Sequence, residues 1–189
     1  MIKMEYFKLP LKKKMWRDFS DLQHQASTFE NYHNYANALF GWVKKYEGEI
    51  NDQHENLLFN NRLDTILKIH IGDYVSESPE ILLDREAERI FSERPKHINT
   101  LLMIIGNTLW ELVRTYTGKD CPSCIDAGLD YVRIVIRETK DQKIALECGT
   151  CGYTENIDGS KYTDGVADVY PVNDDDLAKY GVDCKKSFG

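Results

Sequence analysis

Two Cys-x-x-Cys pairs, Cys121-Pro-Ser-Cys124 and Cys148-Gly-Thr-Cys151, constrain this chain more than any other feature. The 23 residues between them begin a strand-like run, Tyr131-Val-Arg-Ile-Val-Ile-Arg137, which partly alternates and is rich in β-branched side chains. Thr139-Lys-Asp-Gln142 reads as a turn, and Lys143-Ile-Ala-Leu-Glu147 returns. A β-hairpin is therefore predicted, with its ends bringing two cysteine loops together. Zinc prefers four tetrahedral ligands and accepts thiolate readily. Cys121, Cys124, Cys148 and Cys151 are thus the predicted ligands of one zinc ion. Four cysteines leave no open coordination position, so that zinc is expected to be structural.

Two other uses of these thiols compete with zinc. A redox dithiol of the thioredoxin kind opens a helix, and neither pair leads into an obvious one. Structural disulfides demand an oxidising compartment. The basic segment Met1 to Arg17 lacks the apolar stretch of a secretory signal, because Lys12, Lys13 and Lys14 interrupt it. A cytoplasmic setting is expected, in which paired Cys-x-x-Cys motifs are metal ligands more often than disulfides.

Roughly residues 119–157 resemble the zinc-ribbon superfamily. The second knuckle, Cys148-Gly-Thr-Cys-Gly-Tyr153, matches well; in the first, Ile125 replaces the glycine common after the second cysteine. The resemblance implies a small antiparallel β fold and a metal, and leaves function open, since ribbons serve many unrelated roles. Transcription-elongation ribbons carry an acidic pair at the hairpin tip. Here Thr139 and Lys140 separate Glu138 from Asp141, so that role is not carried over. Gly149 and Gly152 are expected to let backbone N–H groups approach the sulfurs.

Upstream, the periodicity is helical. Ser20-Asp-Leu-Gln23 has the spacing of a capping box, and Leu22, Ala26, Phe29, Ala36, Phe40 and Val43 recur at threes and fours. This predicts a long helix over about 21–46. Further helices are expected over about 52–74, over 79–93 behind the cap Ser78 with Pro79 at the first helical position, and over 96–117, closed by Gly118. The last is the most apolar and is expected to lie at the centre of the others. The fold class is α+β: an all-α domain of about four helices over 1–118, then an antiparallel β zinc ribbon with a short C-terminal helix over 119–189. Within the latter, 165–170 is a possible third strand. Asn173 before Asp174, Asp175 and Asp176 reads as a helix cap in preference to a metal site.

The formal net charge is −7, unevenly distributed. Residues 1–20 carry six Lys/Arg against Glu5 and Asp18, whereas 121–189 carry eight against thirteen acids. Lys and Arg dominate binding to phosphates, so a neutral or basic protein partner is expected ahead of nucleic acid. The apolar run Ile98 to Val113 is too short and polar to span a bilayer. His24, His33, His54, His70 and His97 show no ligand spacing, and no phosphate loop, nucleophile elbow or carboxylate dyad appears. Cys184 reads as an inert surface thiol. His24, Tyr32, His33 and Tyr35 form an aromatic-polar stripe that reads as a core edge in preference to a contact surface. The expected function is that of a non-enzymatic zinc-binding protein that captures another protein. A bacterial immunity protein neutralising a basic toxin is the concrete version; a nucleic-acid-binding or transcription accessory role using Lys8–Arg17, Arg133 and Arg137 is the alternative. Oligomeric state is not legible.

Overall fold

In a computed structural model, the residues described are 10–25, 32–51, 63–70, 73–74, 95–125 and 127–182. The chain divides into two compact units, Met1–Ile71 with Glu77–Leu112, and Gly72–Ser76 with Val113–Gly189. Helices precede an antiparallel sheet and a short final helix, an α+β architecture.

In the first unit, α1 spans Lys13–His24 and α2 spans Tyr32–Asn51. The single helix expected over 21–46 is therefore two. Ser20 and Gln23 lie inside α1, which starts at Lys13 behind an extended Lys12 that makes no side-chain cap. The capping-box reading fails because Leu11, Met15 and Phe19, spaced by four, are buried; their burial extends the helix back through the lysine run. Phe19 meets Trp42 edge-on with ring centroids 5.8 Å apart, and Trp42 packs on Tyr46 at 4.9 Å. Such pairs contribute about 0.5–1.5 kcal/mol each beyond their burial. The Trp42 indole donates to the Met15 carbonyl at 3.2 Å, and the buried Tyr35 hydroxyl donates to Gln23 at 2.9 Å. Tyr35 is thus a core residue.

The short α3, Leu63–Ile66, is followed by turns that bond Lys68 N–H to Thr65 and Ile69 N–H to Ile66. The helix expected through 74 therefore stops early, where those three-residue turns take over. Residues 52–62, and the helix expected over 79–93, lie outside the described residues. α4, Ile98–Val113, buries Leu101, Leu102, Ile105, Leu109, Trp110 and Leu112, around more than one helical stripe. Its approach is tied to that of α1: Leu11 N–H bonds the Lys96 carbonyl at 3.0 Å, and Pro10 bridges to His97.

α4 ends four residues short of expectation, because Thr115–Asp120 is recruited as β1. Its partner is β2, Gly128–Ile136, with Thr115 opposite Tyr131. Gly118 has the left-handed φ expected of it, 77°, but at an irregularity within the β1–β2 ladder and not at a helix stop. β3, Gln142–Glu147, pairs with the other edge of β2, and β4, Thr154–Asn156, pairs with β3. The third strand predicted near 165–170 is β5, Ala167–Pro171, which pairs with β2 over Val132–Ile136. β5 and β1 thus lie end to end along one edge of β2, and the Thr115 hydroxyl bonds the Val172 carbonyl across the junction at 3.2 Å. α5, Asp174–Lys179, starts as predicted: Asn173 Oδ1 accepts from the Asp176 N–H at 2.8 Å. Leu177 packs with Val172 and Ile144.

Asp18 joins the two long helices. It accepts from Lys45 Nζ at 2.5 Å and from the Tyr46 hydroxyl at 2.6 Å. The Lys45 bond, then the Tyr46 bond, hold its carboxyl down at about 2. A depressed carboxylate stabilises the fold fully above its unfolded value near 3.8, and that contribution vanishes as pH falls through about 2. Asp18→Asn is expected to weaken α1–α2 pairing and flatten the acid limb between those values in a circular-dichroism titration. An unchanged limb would refute the assignment.

Candidate metal centre

Each cysteine pair closes a turn between two strands, the first between β1 and β2 and the second between β3 and β4. The turns are built alike. Ile125 N–H bonds the Cys121 carbonyl at 3.1 Å, and Gly152 N–H bonds the Cys148 carbonyl at 2.9 Å. Cys121 N–H returns to Ala127 at 2.7 Å, and Cys148 N–H to Tyr153 at 2.9 Å. Because Asp130 lies opposite Glu147 in the β2–β3 ladder, the exit of the first turn and the entry of the second meet at one end of the sheet.

That register gathers all four sulfurs within 4.8 Å of one another. Cys121 and Cys151 lie 3.6 Å apart, as do Cys124 and Cys148. A tetrahedron of sulfurs at Zn–S ~2.3 Å has edges of about 3.8 Å, whereas a disulfide needs about 2.05 Å. All four cysteines are free. Cys121 and Cys148 are buried with Leu129 and Leu146, while Cys151 is exposed. Neither turn opens a helix, which removes the support for a thioredoxin-like dithiol. The four predicted ligands are thus brought together at metal-binding distance.

The electrostatics of the cluster call for a cation. Burial, reinforced by hydrogen bonds among the sulfurs, pushes the Cys124 thiol up to about 12. The Tyr153 backbone N–H draws Cys151 down to about 7. Four thiolates packed this closely repel one another in the absence of a compensating charge, and a central dication reverses that balance. The sulfur donors, their number and their spacing therefore fit a soft or borderline divalent ion.

The backbone donors differ from those expected. Ser123 N–H points to Cys121 Sγ at 3.4 Å, and Tyr153 N–H serves Cys151. The Gly152 N–H is instead used within its turn, although Gly152 does adopt a left-handed φ of 72°; Gly149 does not. The rule is a donor two residues after a cysteine, a signal present in the spacing. Among the described residues no other group gathers ligands for a metal. Asp176 faces Arg133 at 3.6 Å, and the Asp174–Asp176 run serves as a helix start. His24 and His70 are exposed and His97 half-buried, and none joins a ligand group. His33 (its side chain), His54 and Cys184 lie outside the described residues. Glu138 and Asp141 are exposed at the hairpin tip, at the far end of β2 from the sulfurs.

Not anticipated from sequence is a pair of buried carboxylates beside the centre. Asp130 and Glu147, 3% and 7% exposed, face each other across β2 and β3, with Arg114 3.9 Å from Asp130. Also unanticipated is a cavity of about 400 Å³ at the β5–β1 junction, lined by Tyr74, Thr115, Val172, Asp73, Asp174 and Asp175 among others. Compared with protein-family models, with curated proteins and with solved structures, the chain matches none.

Ile125 holds φ at 64°, where a β-branched side chain costs about 1–2 kcal/mol. Ile125→Gly is expected to stabilise this unit by roughly 0.5–1 kcal/mol once the looser unfolded chain is allowed for, read as a higher thermal midpoint. A lower midpoint would show that the strain is absent. Cys148→Ser, which removes a buried ligand, is expected to abolish stoichiometric metal binding and melt the sheet selectively. Retention of one metal per chain would refute the four-sulfur site.

Proposed function

We propose that this protein is a non-enzymatic binding protein whose four cysteines hold one structural Zn²⁺ as a zinc ribbon, and that it captures a protein with a basic surface. The observation that carries the reading is how the sheet unit disposes of its charge. Arg137 is paired with Asp168 at 2.8 Å. Arg133 faces Asp176 and lies over the Tyr170 ring, 4.7 Å from its centroid. Lys143 is held by Asp164 and Asn156. These cations are paired within the unit, and although Lys140, Lys161 and Lys179 are exposed beside Glu138, Asp141, Asp174 and Asp175, the balance over 121–189 is acidic, thirteen acids against eight basic residues. Four thiolates around Zn²⁺ add a formal −2. Such a surface attracts cations by long-range fields.

The same pairing weakens the nucleic-acid alternative, which needs Arg133 and Arg137 to meet phosphate. Zinc with four cysteine ligands has no open position for substrate, and its role is to hold the ribbon together. Apparent binding energies of ~10–16 kcal/mol in small finger peptides exceed what so small a sheet gains from packing. We take the concrete form of the function to be an immunity-type inhibitor, cytoplasmic and bacterial, that neutralises a basic toxin domain. Among the described residues, no helix is long and apolar enough to cross a membrane.

The test has two parts. Metal analysis of the purified chain is expected to find one zinc per chain, and chelation is expected to melt the sheet. Passed over the immobilised basic toxin domain encoded beside its gene, the zinc-loaded chain is expected to bind at low salt and elute as salt rises, and to leave duplex DNA and RNA unretarded in a gel. Nucleic-acid retardation with a steep salt slope would place the alternative first.

A further inference from the structure

The four sulfurs are unequal in a way that holding a metal does not require. Cys121 and Cys148, 1% and 0% exposed, are enclosed with Leu129 and Leu146. Cys124 is half-buried and Cys151 is exposed. Cys151 also lies in an exposed run, Gly149–Gly152, and a Cβ added at Gly149 or Gly152 would meet nothing within 4 Å. A small solute therefore reaches this sulfur without opening the fold. What stands behind it is equally defined. Cys151 lies 3.6 Å from Cys121, and Cys124 lies 3.6 Å from Cys148, so both contacts cross from one turn to the other. Each turn is closed by its own backbone bonds, and the β2–β3 ladder holds the two together. Closing such a contact to a disulfide of ~2.05 Å takes about 1.5 Å, shared between two side chains that rotate about their own Cα–Cβ bonds.

We propose that Cys151 is a redox modification site: a hydroperoxide oxidises it first, Cys121 resolves it, and the centre ends as two disulfides across the turns, Cys121–Cys151 and Cys124–Cys148. The Cys151 thiolate attacks one peroxide oxygen. The O–O bond breaks, hydroxide leaves, and the sulfur becomes a sulfenic acid. The Cys121 thiolate then attacks that sulfur; the S–O bond breaks, a second hydroxide leaves, and the S–S bond forms. The two sulfurs have lost two electrons, and the peroxide has taken them. A second peroxide oxidises the half-buried Cys124, and Cys148 resolves it by the same steps. With the thiolates consumed, nothing remains to hold a dication. The turns nevertheless stay joined, because each disulfide bridges the same two turns that the four sulfurs share. This inference rests on the reading of the sulfurs as zinc ligands, and it adds a route by which an oxidant empties the centre and leaves the sheet folded.

The test uses the full zinc-loaded chain carrying Cys184→Ser, which leaves the four clustered cysteines as its only thiols. Graded hydrogen peroxide is added with dimedone, which traps sulfenic acids, and in parallel without it, while a chromogenic chelator follows released zinc. At low dose the dimedone adduct is expected on Cys151, about tenfold above any other cysteine, as its exposure dictates. Without the trap, the tryptic peptides Asp120–Arg133 and Ile144–Lys161 are expected to become linked in step with zinc release, with fragmentation placing the bonds at 121–151 and 124–148. Hydrogen exchange of β2 and β3 is expected to stay slow in the oxidised chain and to become fast in the reduced, chelated one. Dithiothreitol with zinc is expected to restore the starting state. Disulfides within either turn, the pairing 121–148 with 124–151, a first adduct elsewhere, sulfinic acid at Cys151 in place of a disulfide, or fast exchange after oxidation each overturn the proposal. Zinc content before oxidation separates the two readings. A zinc-loaded chain that peroxide leaves unlinked overturns this inference alone; a chain isolated under reducing conditions without zinc overturns the metal reading, and the peptide linkage still decides the pairing.

Discussion

The sheet unit depends on the register between β2 and β3. With Asp130 opposite Glu147 and Tyr131 opposite Leu146, both cysteine turns emerge at one end of the hairpin, and the four sulfurs close to within 4.8 Å. A slip of one residue would move one turn along its partner by about 3.3 Å and turn every side chain to the opposite face. The sulfurs would part, and Leu129 and Leu146 would leave the cluster they form with Cys121 and Cys148. Register, small core and the spacing of the sulfurs are thus one constraint expressed three ways. The proposed zinc ion locks a register that so short a ladder holds weakly by itself.

Charge organises what lies beyond that end. Several of the sheet's basic side chains are drawn into local partnerships. Arg133 sits among Asp176, Gln142 and the Tyr170 ring, and Lys143 sits over Tyr162 with Asp164 and Asn156 beside it. Partly exposed ion pairs of this kind add little stability individually. Each pair takes one acid with its cation, so the sign of the charge left over is set by the excess of acids, thirteen against eight basic residues over 121–189. In the helical unit the same economy appears at Asp18, where one carboxylate serves a lysine of α2 and a tyrosine one residue on.

Both ends of the helical segments are set by contacts distant in sequence. Local periodicity is strong over Leu22 to Val43 and hides where α1 lies, Lys13–His24, because burial of Met15 and Phe19 draws the chain into a helix that begins earlier. At the other end, Thr115-Tyr-Thr117 sits where α4 could continue, but these β-branched and aromatic residues find a vacant edge on β2. Gly118 illustrates the ambiguity: its left-handed φ was legible, and whether it ended a helix or broke a ladder was not. Such choices are made by partners distant in sequence.

The amino-acid sequence by itself determined the α+β class, the hairpin between the cysteine pairs, the Asn173 cap and the identity of the four sulfur donors. Each is a short-range matter of spacing, alternation or turn chemistry. Only the tertiary structure decided that β1 exists, that β5 and β1 share one edge of β2, which N–H groups reach the sulfurs, and that Asp130 and Glu147 are buried face to face. It also decided that Ile125 stands strained and exposed. These features depend on which distant segments meet, and no local pattern carries that information.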